Sequence, residues 1–197
     1  MDTYIRPNGE FMSKSMARLA CLAANESYKS QLGYKHGAII YRGKKKICAG
    51  HNMNTRTTYR KNLCCSIHAE MDTVTRFLNS FLKIHKMSGS NPDKIRRKMN
   101  KYSICVVRSS ERIDGGILYM NSMPCRDCLK KLKTVGLNKV IFSDSDNTVY
   151  SARIQQIETN HLSWCGVMKN QDVLQRLKMN PLIHYGKSFS HKITRHY

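Results

Sequence analysis

Two short motifs that lie far apart in the chain constrain its fold more than any other feature. One is His-Ala-Glu at residues 68–70, and the other is Pro-Cys-Arg-Asp-Cys at residues 124–128. Histidine and cysteine are common zinc ligands, and a catalytic zinc site usually takes three protein ligands and leaves a fourth position for water. His68, Cys125 and Cys128 supply three, so we expect the fold to bring the two motifs together.

The spacing within each motif predicts its local structure. Cys125 and Cys128 are three residues apart, which places both sulfurs on one face of a helical turn. Pro124 suits the entrance of that helix, because the first turn does not need its missing N–H, and the positive end of the helix dipole favours thiolates. His68 and Glu70 are two residues apart, which is not same-face spacing, so we expect them at the start of another helix.

Neither motif is specific by itself. A lone Cys-x-x-Cys is also typical of a structural zinc knuckle or a redox pair. Cys64 and Cys65 lie near His68 in the sequence, and either could complete a closed structural site with no position left for water. A structural zinc site, or a second metal at Cys64 and Cys65, therefore stays open as an alternative.

The chain is strongly basic. Its 197 residues include 34 Lys and Arg against 13 Asp and Glu, which gives a formal net charge of +21. This charge says nothing about the fold, but it predicts attraction to polyanions such as DNA or RNA. The alternative is a solvated, lysine-rich surface. The length and the hydrophobic content of 41% suit a single domain with its own core.

The cysteines and the hydropathy bear on the compartment. Eight cysteines could form a disulfide scaffold, but the chain is long and its first residues carry no apolar signal core. We therefore expect a reducing, intracellular compartment, either cytoplasmic or nuclear. No apolar run is long enough to cross a bilayer, so we expect no membrane partner.

Apolar periodicity and turn signals predict helices that alternate with strands. The predicted helices cover residues 12–28, 67–82 and 125–135, and the predicted strands cover 37–41, 46–50, 102–108, 117–120, 139–143 and 148–157. The first two strands are expected to form an antiparallel hairpin, and a looser stretch is expected up to residue 63. The strand–helix–strand order around the cysteines predicts that strands 117–120 and 139–143 are parallel.

The inner face of the second helix is predicted to carry Met71, Val74, Leu78 and Leu82, and Gly136 is predicted to cap the third helix.

This order predicts one α/β domain over residues 12–169. Residues 1–11 are expected to form a flexible N-terminus, and residues 170–197 a basic C-terminal extension with a helix over 171–179. Residues 83–101 carry many Lys and Arg and one acid, and we interpret them as a basic insertion. It is either a solvated loop with a short basic helix or a contact surface for phosphates.

On these residues, the chain resembles the zinc-dependent cytidine/deoxycytidylate deaminase superfamily over about residues 12–143. The markers are Gly-His-Asn at 50–52, His-Ala-Glu-Met at 68–71 and Pro-Cys-x-x-Cys at 124–128. The resemblance implies a three-layer α/β fold in which a mixed five-stranded sheet lies between helices, and it implies Zn²⁺ as the cofactor.

The resemblance also implies a role for each site residue. His68, Cys125 and Cys128 would be the zinc ligands. Glu70 would be catalytic, moving a proton from the activated water to a ring nitrogen of the base and then to the leaving ammonia. Asn52 would contact the sugar of the substrate, whereas its residue type alone favours a turn asparagine that bonds its own backbone.

The stretches at 50–52 and 68–71 resemble the deoxycytidylate deaminases best, which implies hydrolytic deamination of cytosine to uracil on (deoxy)cytidine monophosphate. Residues 121–123 lack both the Glu before Pro-Cys of transfer-RNA adenosine deaminases and the aromatic-serine run of polynucleotide cytidine deaminases. The basic insertion and C-terminus depart from the compact nucleotide enzymes. The alternative is a basic nucleic-acid-binding protein on a deaminase scaffold, or a deaminase acting on DNA or RNA. We also expect a homo-oligomer.

Overall fold

The computed structural model describes residues 13–54, 57–59, 62–64, 66–86, 91–111, 116–145 and 148–163. The described residues up to 161 belong to one compact unit, Met1–His161. Residues 162 and 163 belong to a second unit, Leu162–Tyr197. The expected flexible N-terminus (1–11), the C-terminal extension (170–197) and its helix (171–179) lie outside the described residues. The domain boundaries therefore stay predictions.

Helices and strands alternate as expected. The helices are α1 (Lys14–Ser27), α2 (Ala69–Ile84), α3 (Pro92–Met99) and α4 (Arg126–Val135). The strands are β1 (Lys35–Arg42), β2 (Lys45–His51), β3 (Thr57–Tyr59), β4 (Asn62–Cys64), β5 (Ser103–Glu111), β6 (Ile117–Met120), β7 (Lys139–Ser143) and β8 (Val149–Arg153). The predicted last strand is shorter than expected, because Ile154–Gln156 form a 3₁₀ turn. No described helix is both long and apolar enough to cross a membrane.

The main sheet is mixed, and helices cover it on both faces. Five strands form a continuous path in the order β2-β1-β5-β7-β8, and β6 pairs with the end of β5 as a sixth strand. The β1–β2, β1–β5 and β7–β8 pairs are antiparallel, whereas β5 and β7 are parallel. This confirms the three-layer α/β fold and the antiparallel first hairpin.

The predicted parallel pairing of strands 117–120 and 139–143 is wrong. β6 runs antiparallel to β5, with Met120 opposite Arg108, whereas β7 runs parallel to β5. Because β1 occupies the other edge of β5, β6 and β7 share one edge and lie end to end along it. The short link over 112–116 explains the difference, since it allows only an antiparallel return, whereas a parallel neighbour needs a longer crossover.

The two faces of the sheet carry separate apolar cores, because successive strand residues point to opposite faces. On one face, α1 packs through Leu19 and Ala23 against Ile39 of β1. On the other face, α2 and α4 pack against Ala38 and Ile40 of β1 and Ile104 and Val106 of β5, as well as Val140 of β7. The face that carries α2 and α4 also carries the two motifs.

The inner face of α2 differs from its prediction. Val74 is buried as expected, but the other large core residues are Phe77 and Phe81, and Leu78 and Leu82 lie at the margin of the core. The two phenylalanine rings pack on Tyr102, with ring centroids 4.8 and 5.9 Å away. Three aromatic rings bury more apolar area than the leucines would, so they set the rotation of the helix.

Within the predicted basic insertion, residues 91–101 are anchored to the domain. The side chain of Asn91 accepts a hydrogen bond from the backbone of Asp93 at the start of α3, and Met99 at its end is fully buried in the core. Gly136, which adopts a positive φ of 86° and ends α4 as predicted, lies against Arg96. The short basic helix is therefore present, and its position is fixed by packing.

The stretch before residue 63 is more ordered than expected, since β3 and β4 form a small antiparallel hairpin. Cys64 lies in β4. The side chains of Cys64 and Cys65 lie outside the described part, so a second metal there stays a hypothesis.

Candidate active site

The two motifs meet because two helices begin at the same place. His68 is the N-cap of α2 and Cys125 is the N-cap of α4, and both have extended backbones. Neither side chain makes a capping hydrogen bond to its own helix, so helix capping does not account for either residue. Cys128 is the third residue of α4, and Pro124 precedes the cap by one residue. The expectation that His68 and Glu70 start a helix agrees with these positions.

The side chains of His68, Cys125 and Cys128 form a compact set of metal-binding groups, and their ligand atoms all lie within 4.8 Å of one another. Nδ1 of His68 is 3.6 Å from Sγ of Cys125 and 3.3 Å from Sγ of Cys128. Tetrahedral zinc with ordinary Zn–N and Zn–S bonds separates such atoms by about 3.6 Å. The donor set and its spacing therefore fit Zn²⁺.

The pKa values of the two thiols are shifted in opposite directions. The pKa of Cys125 is lowered to about 3, first because the Cys128 thiol donates a hydrogen bond to it and also because His68 stabilises the thiolate, while burial acts in the opposite direction. The same hydrogen bond, together with burial, raises the pKa of Cys128 well above its ordinary value. The pair thus holds one negative charge readily, and a cation is needed to stabilise the second.

Glu70 is buried beside this set. It is the second residue of α2 and its side chain is 5% exposed. Burial raises the pKa of the Glu70 carboxyl, and the His68 charge partly opposes this effect. A buried carboxyl next to a metal-binding set lies where a proton-transferring group is needed, as the role expected of Glu70 requires.

Asn52 follows β2 and is also buried, with 7% of its side chain exposed. Its Oδ1 accepts a hydrogen bond from the His36 N–H at 2.8 Å, and its Nδ2 donates to the Tyr34 carbonyl at 2.6 Å. These partners precede β1 or lie at its start, so this is not a turn that bonds its own backbone. An amide has a second N–H and further lone pairs, and the sugar contact of Asn52 stays a prediction.

A charged network holds the strand end before Asn52. Nδ1 of the His51 ring lies 3.4 Å from Oε1 of the buried Glu26. The backbone N–H of His51 donates to Oδ2 of Asp72 at 3.3 Å. A β-carbon on Gly50 would collide with Asp72 and Thr73, so β2 and α2 touch here. The marker at residues 50–52 is thus explained in part by packing.

The segment that leads into Cys125 is held by two serines. The Ser122 N–H donates to the Ser143 carbonyl at 2.9 Å, and the Ser122 hydroxyl donates to the Val106 carbonyl at 2.8 Å. The Ser143 hydroxyl donates to the Met120 carbonyl at 2.7 Å. These bonds join the end of β6 to the end of β7, beside β5.

Sequence reasoning missed His36 and Arg108, which lie directly opposite each other on β1 and β5. The pKa of His36 is lowered to about 4, mainly by burial, and the charges of Arg108, His68 and Cys125 also act on its ring. The signal was present in the sequence: His36 continues the alternation of Ala38 and Ile40, and Arg108 continues that of Ile104 and Val106. A polar residue at the end of an apolar face was the clue.

Several solved structures are similar to this chain. Among solved structures, a cytidine deaminase from Burkholderia pseudomallei is 16% identical, covers 74% of this chain and 98% of that chain, and has a TM-score of 0.48. A dCMP deaminase from the cyanophage S-TIM5 is similar in its apo form (19% identity, 64% and 79% coverage, TM-score 0.40) and in complex with dCMP and dUMP (17%, 67% and 83%, TM-score 0.37). A comparison with curated protein sequences gave no match.

A family model described as the cytidine and deoxycytidylate deaminase zinc-binding region matches residues 12–144, about two thirds of the chain. This range contains both motifs and every element from α1 to β7. It confirms the superfamily resemblance and the expected cofactor, Zn²⁺. The chain belongs to the cytidine and deoxycytidylate deaminase family.

Proposed function

We propose that this chain is a zinc-dependent hydrolase that converts a cytosine base to uracil, with (deoxy)cytidine monophosphate as the substrate. The observation that carries the proposal is the grouping of His68, Cys125 and Cys128 beside the buried carboxyl of Glu70. A structural zinc site needs no proton-transferring group, whereas a hydrolytic site does.

In this proposal His68, Cys125 and Cys128 hold the zinc, which supplies an activated water when bound. Glu70 takes a proton from that water and delivers it to the ring nitrogen next to the amino-bearing carbon. Once the water oxygen has bonded to the amino-bearing carbon, Glu70 would take the second proton from that oxygen and pass it to the amino group, which leaves as ammonia when its carbon–nitrogen bond breaks. The sum is cytosine plus water giving uracil plus ammonia, and Glu70 ends in its starting state.

The choice of a nucleotide over a nucleoside is supported by charge and by the motifs. The net charge of +21 favours anionic substrates over neutral ones. The stretches at 50–52 and 68–71 resemble those of deoxycytidylate deaminases, and a buried Asn52 beside the site suits a sugar contact. The expected homo-oligomer and the intracellular compartment stay predictions.

The proposal is tested by ammonia release from dCMP, CMP, deoxycytidine and cytidine. We expect the purified protein to deaminate dCMP or CMP, and Glu70→Ala to lower kcat by about 10²- to 10⁴-fold while the zinc content is unchanged. Glu158→Gln, which alters an exposed glutamate, is the matched control and should retain activity. Absence of turnover by the zinc-loaded protein on all cytosine substrates would refute the proposal.

A second function, binding of DNA or RNA, is favoured by one feature. On α3, Lys94, Arg96 and Arg97 are exposed, and the buried Met99 fixes the helix on the domain. A fixed row of exposed cations suits a phosphate backbone. Binding to a labelled oligonucleotide should weaken steeply with salt and lose part of that slope in a Lys94, Arg96 and Arg97 triple alanine variant. No detectable binding at low salt would refute it.

A further inference from the structure

We propose that Arg108, stacked on Tyr34, binds the 5′-phosphate of the nucleotide substrate and so makes the enzyme select nucleotides over nucleosides. This inference rests on the proposed deaminase function and adds a specificity residue to the same site.

Arg108 lies on the face of the sheet that carries the metal-binding set. On β5, Ile104 and Val106 belong to the core beneath α2 and α4, and alternation places Arg108 on that same face. Its opposite residue is His36 on β1, which shares its face with Ala38 and Ile40. Directly opposite residues of an antiparallel pair project side by side.

Arg108 also lies at the correct end of the sheet. The ring of His36 is close enough to feel the charges of Arg108, His68 and Cys125. On its other edge Arg108 is opposite Met120, which ends the strand leading into Cys125. The pairing of β5 with β6 therefore places Arg108 near the start of α4, and its partner on β1, His36, is affected by charges from both helix starts.

The guanidinium is held against an aromatic ring. Its central carbon lies 4.4 Å from the centroid of the Tyr34 ring, and Tyr34 is 66% exposed. Within the described part of the chain, no acidic side chain lies within salt-bridge distance of Arg108. A planar guanidinium held by a ring keeps its N–H edge for a bidentate anion, and phosphate is the anion whose geometry it matches.

The same tyrosine connects Arg108 to the expected sugar-binding residue. The Tyr34 carbonyl accepts the hydrogen bond from Asn52 Nδ2 at 2.6 Å, while its ring carries Arg108. Tyr34 would thus be the residue that links a sugar bound at Asn52 to the Arg108 guanidinium that holds its 5′-phosphate. By contrast, Arg76 on α2 is bonded to Asp72 at 2.8 Å, so its charge is already satisfied.

The test compares dCMP with deoxycytidine, which differ only in the phosphate. We expect Arg108→Ala to lower kcat/KM for dCMP by about 10- to 100-fold, the effect of losing a charge-assisted bidentate contact. Deoxycytidine should change by less than about twofold, because it lacks the phosphate. Arg108→Lys should recover part of the loss, and Tyr34→Ala, at an exposed side chain, should lose less than Arg108→Ala.

Arg42→Ala is the matched control. Arg42 also stacks on a tyrosine, Tyr102, at 5.9 Å, but it lies six residues from His36 along β1, about 20 Å away. We expect this variant to treat both substrates as the parent does. If Arg42→Ala and Arg108→Ala behave alike, or if Arg108→Ala slows both substrates equally, the assignment is wrong.

Binding separates this inference from the proposed function. The affinities of dCMP and deoxycytidine for zinc-loaded Glu70→Gln, with and without Arg108→Ala, are measured by calorimetry, which needs no turnover. A loss confined to dCMP supports the phosphate site even if no variant is active. A third arm uses a single-stranded oligonucleotide with an internal cytosine. An Arg108→Ala effect on the oligonucleotide alone would overturn the mononucleotide assignment.

Discussion

The sheet face beneath α2 and α4 has two ends that differ in chemistry. At one end Phe77, Phe81 and Tyr102 pack ring against ring, in the same core as the fully buried Met99. At the other end the buried groups are polar, with Glu70 and Asn52 nearly inaccessible. β1 and β5 run through both ends, and their side chains differ from one end to the other.

Each end carries an arginine stacked on a tyrosine, but the surroundings of the two pairs differ. At the apolar end Arg42 lies over Tyr102, whose ring is already packed on two phenylalanines. At the polar end Arg108 lies over an exposed Tyr34. The apolar end stabilises the domain, whereas the polar end keeps groups that a substrate can use. Variants at the two ends should therefore affect different measurements.

The largest effect is expected at the polar end, from Cys128→Ser. Removal of a ligand thiolate should lower zinc affinity by more than about 100-fold, since even groups around the ligands are worth 10- to 100-fold. Zinc per chain, measured by elemental analysis after dialysis, should fall close to zero. Cys21→Ser, at an exposed cysteine of α1, should retain its zinc. Full zinc content in the Cys128 variant would mean that this end is not the metal site.

At the apolar end, Phe81→Ala should act on stability alone. Phe81 is 4% exposed and contacts Phe77 and Tyr102, so its truncation should lower the free energy of unfolding by about 3–5 kcal/mol. Urea unfolding measures the loss. Below the transition, zinc content and the pH profile of activity should match those of the parent. A change in zinc content in the folded variant would show that the two ends are coupled.

A smaller effect, visible only in acid, is expected at His36. Its pKa falls from 6.5 to about 4 on folding, mainly through burial. Between these values the unfolded chain binds a proton that the folded protein does not, so the free energy of unfolding decreases as the pH falls. The loss should approach about 3 kcal/mol by pH 4, and it should be absent above pH 6.5.

His36→Gln should flatten this acid dependence. Urea unfolding at several pH values, with a chelator present so that metal release does not contribute, compares the variant with the parent. Equal slopes in the two proteins would show that His36 does not remain neutral in the folded state.

Local signals in the sequence predicted most elements and the grouping of the two motifs. The three-residue spacing of Cys125 and Cys128 indicates that both sulfurs lie on one side of a helical turn. Gly136 ends α4, as its residue type indicates. The position of β6 could not be predicted in this way, because the strand–helix–strand order does not say which strand begins the crossover. In the structure β5 is the parallel partner of β7.

The pairing of His36 with Arg108 was hidden for a related reason. Opposite residues are known only once the register between β1 and β5 is known, and these strands are separated by α2 and α3 in sequence. Phe77 and Phe81 were missed because their partner, Tyr102, lies outside their own helix. Contacts that depend on a distant partner are those that local periodicity cannot rank.

The bonds between Ser122, Ser143 and their neighbours have a consequence for metal exchange. They hold residues 120–122, which lead into Cys125, against β5 and β7. The buried Leu129 and Leu132 fix α4 on the core. Cys125 and Cys128 are thus positioned by the fold of the chain around them. Zinc can then enter and leave a scaffold that is already assembled, and stripping it with a chelator should empty the site while the domain stays folded.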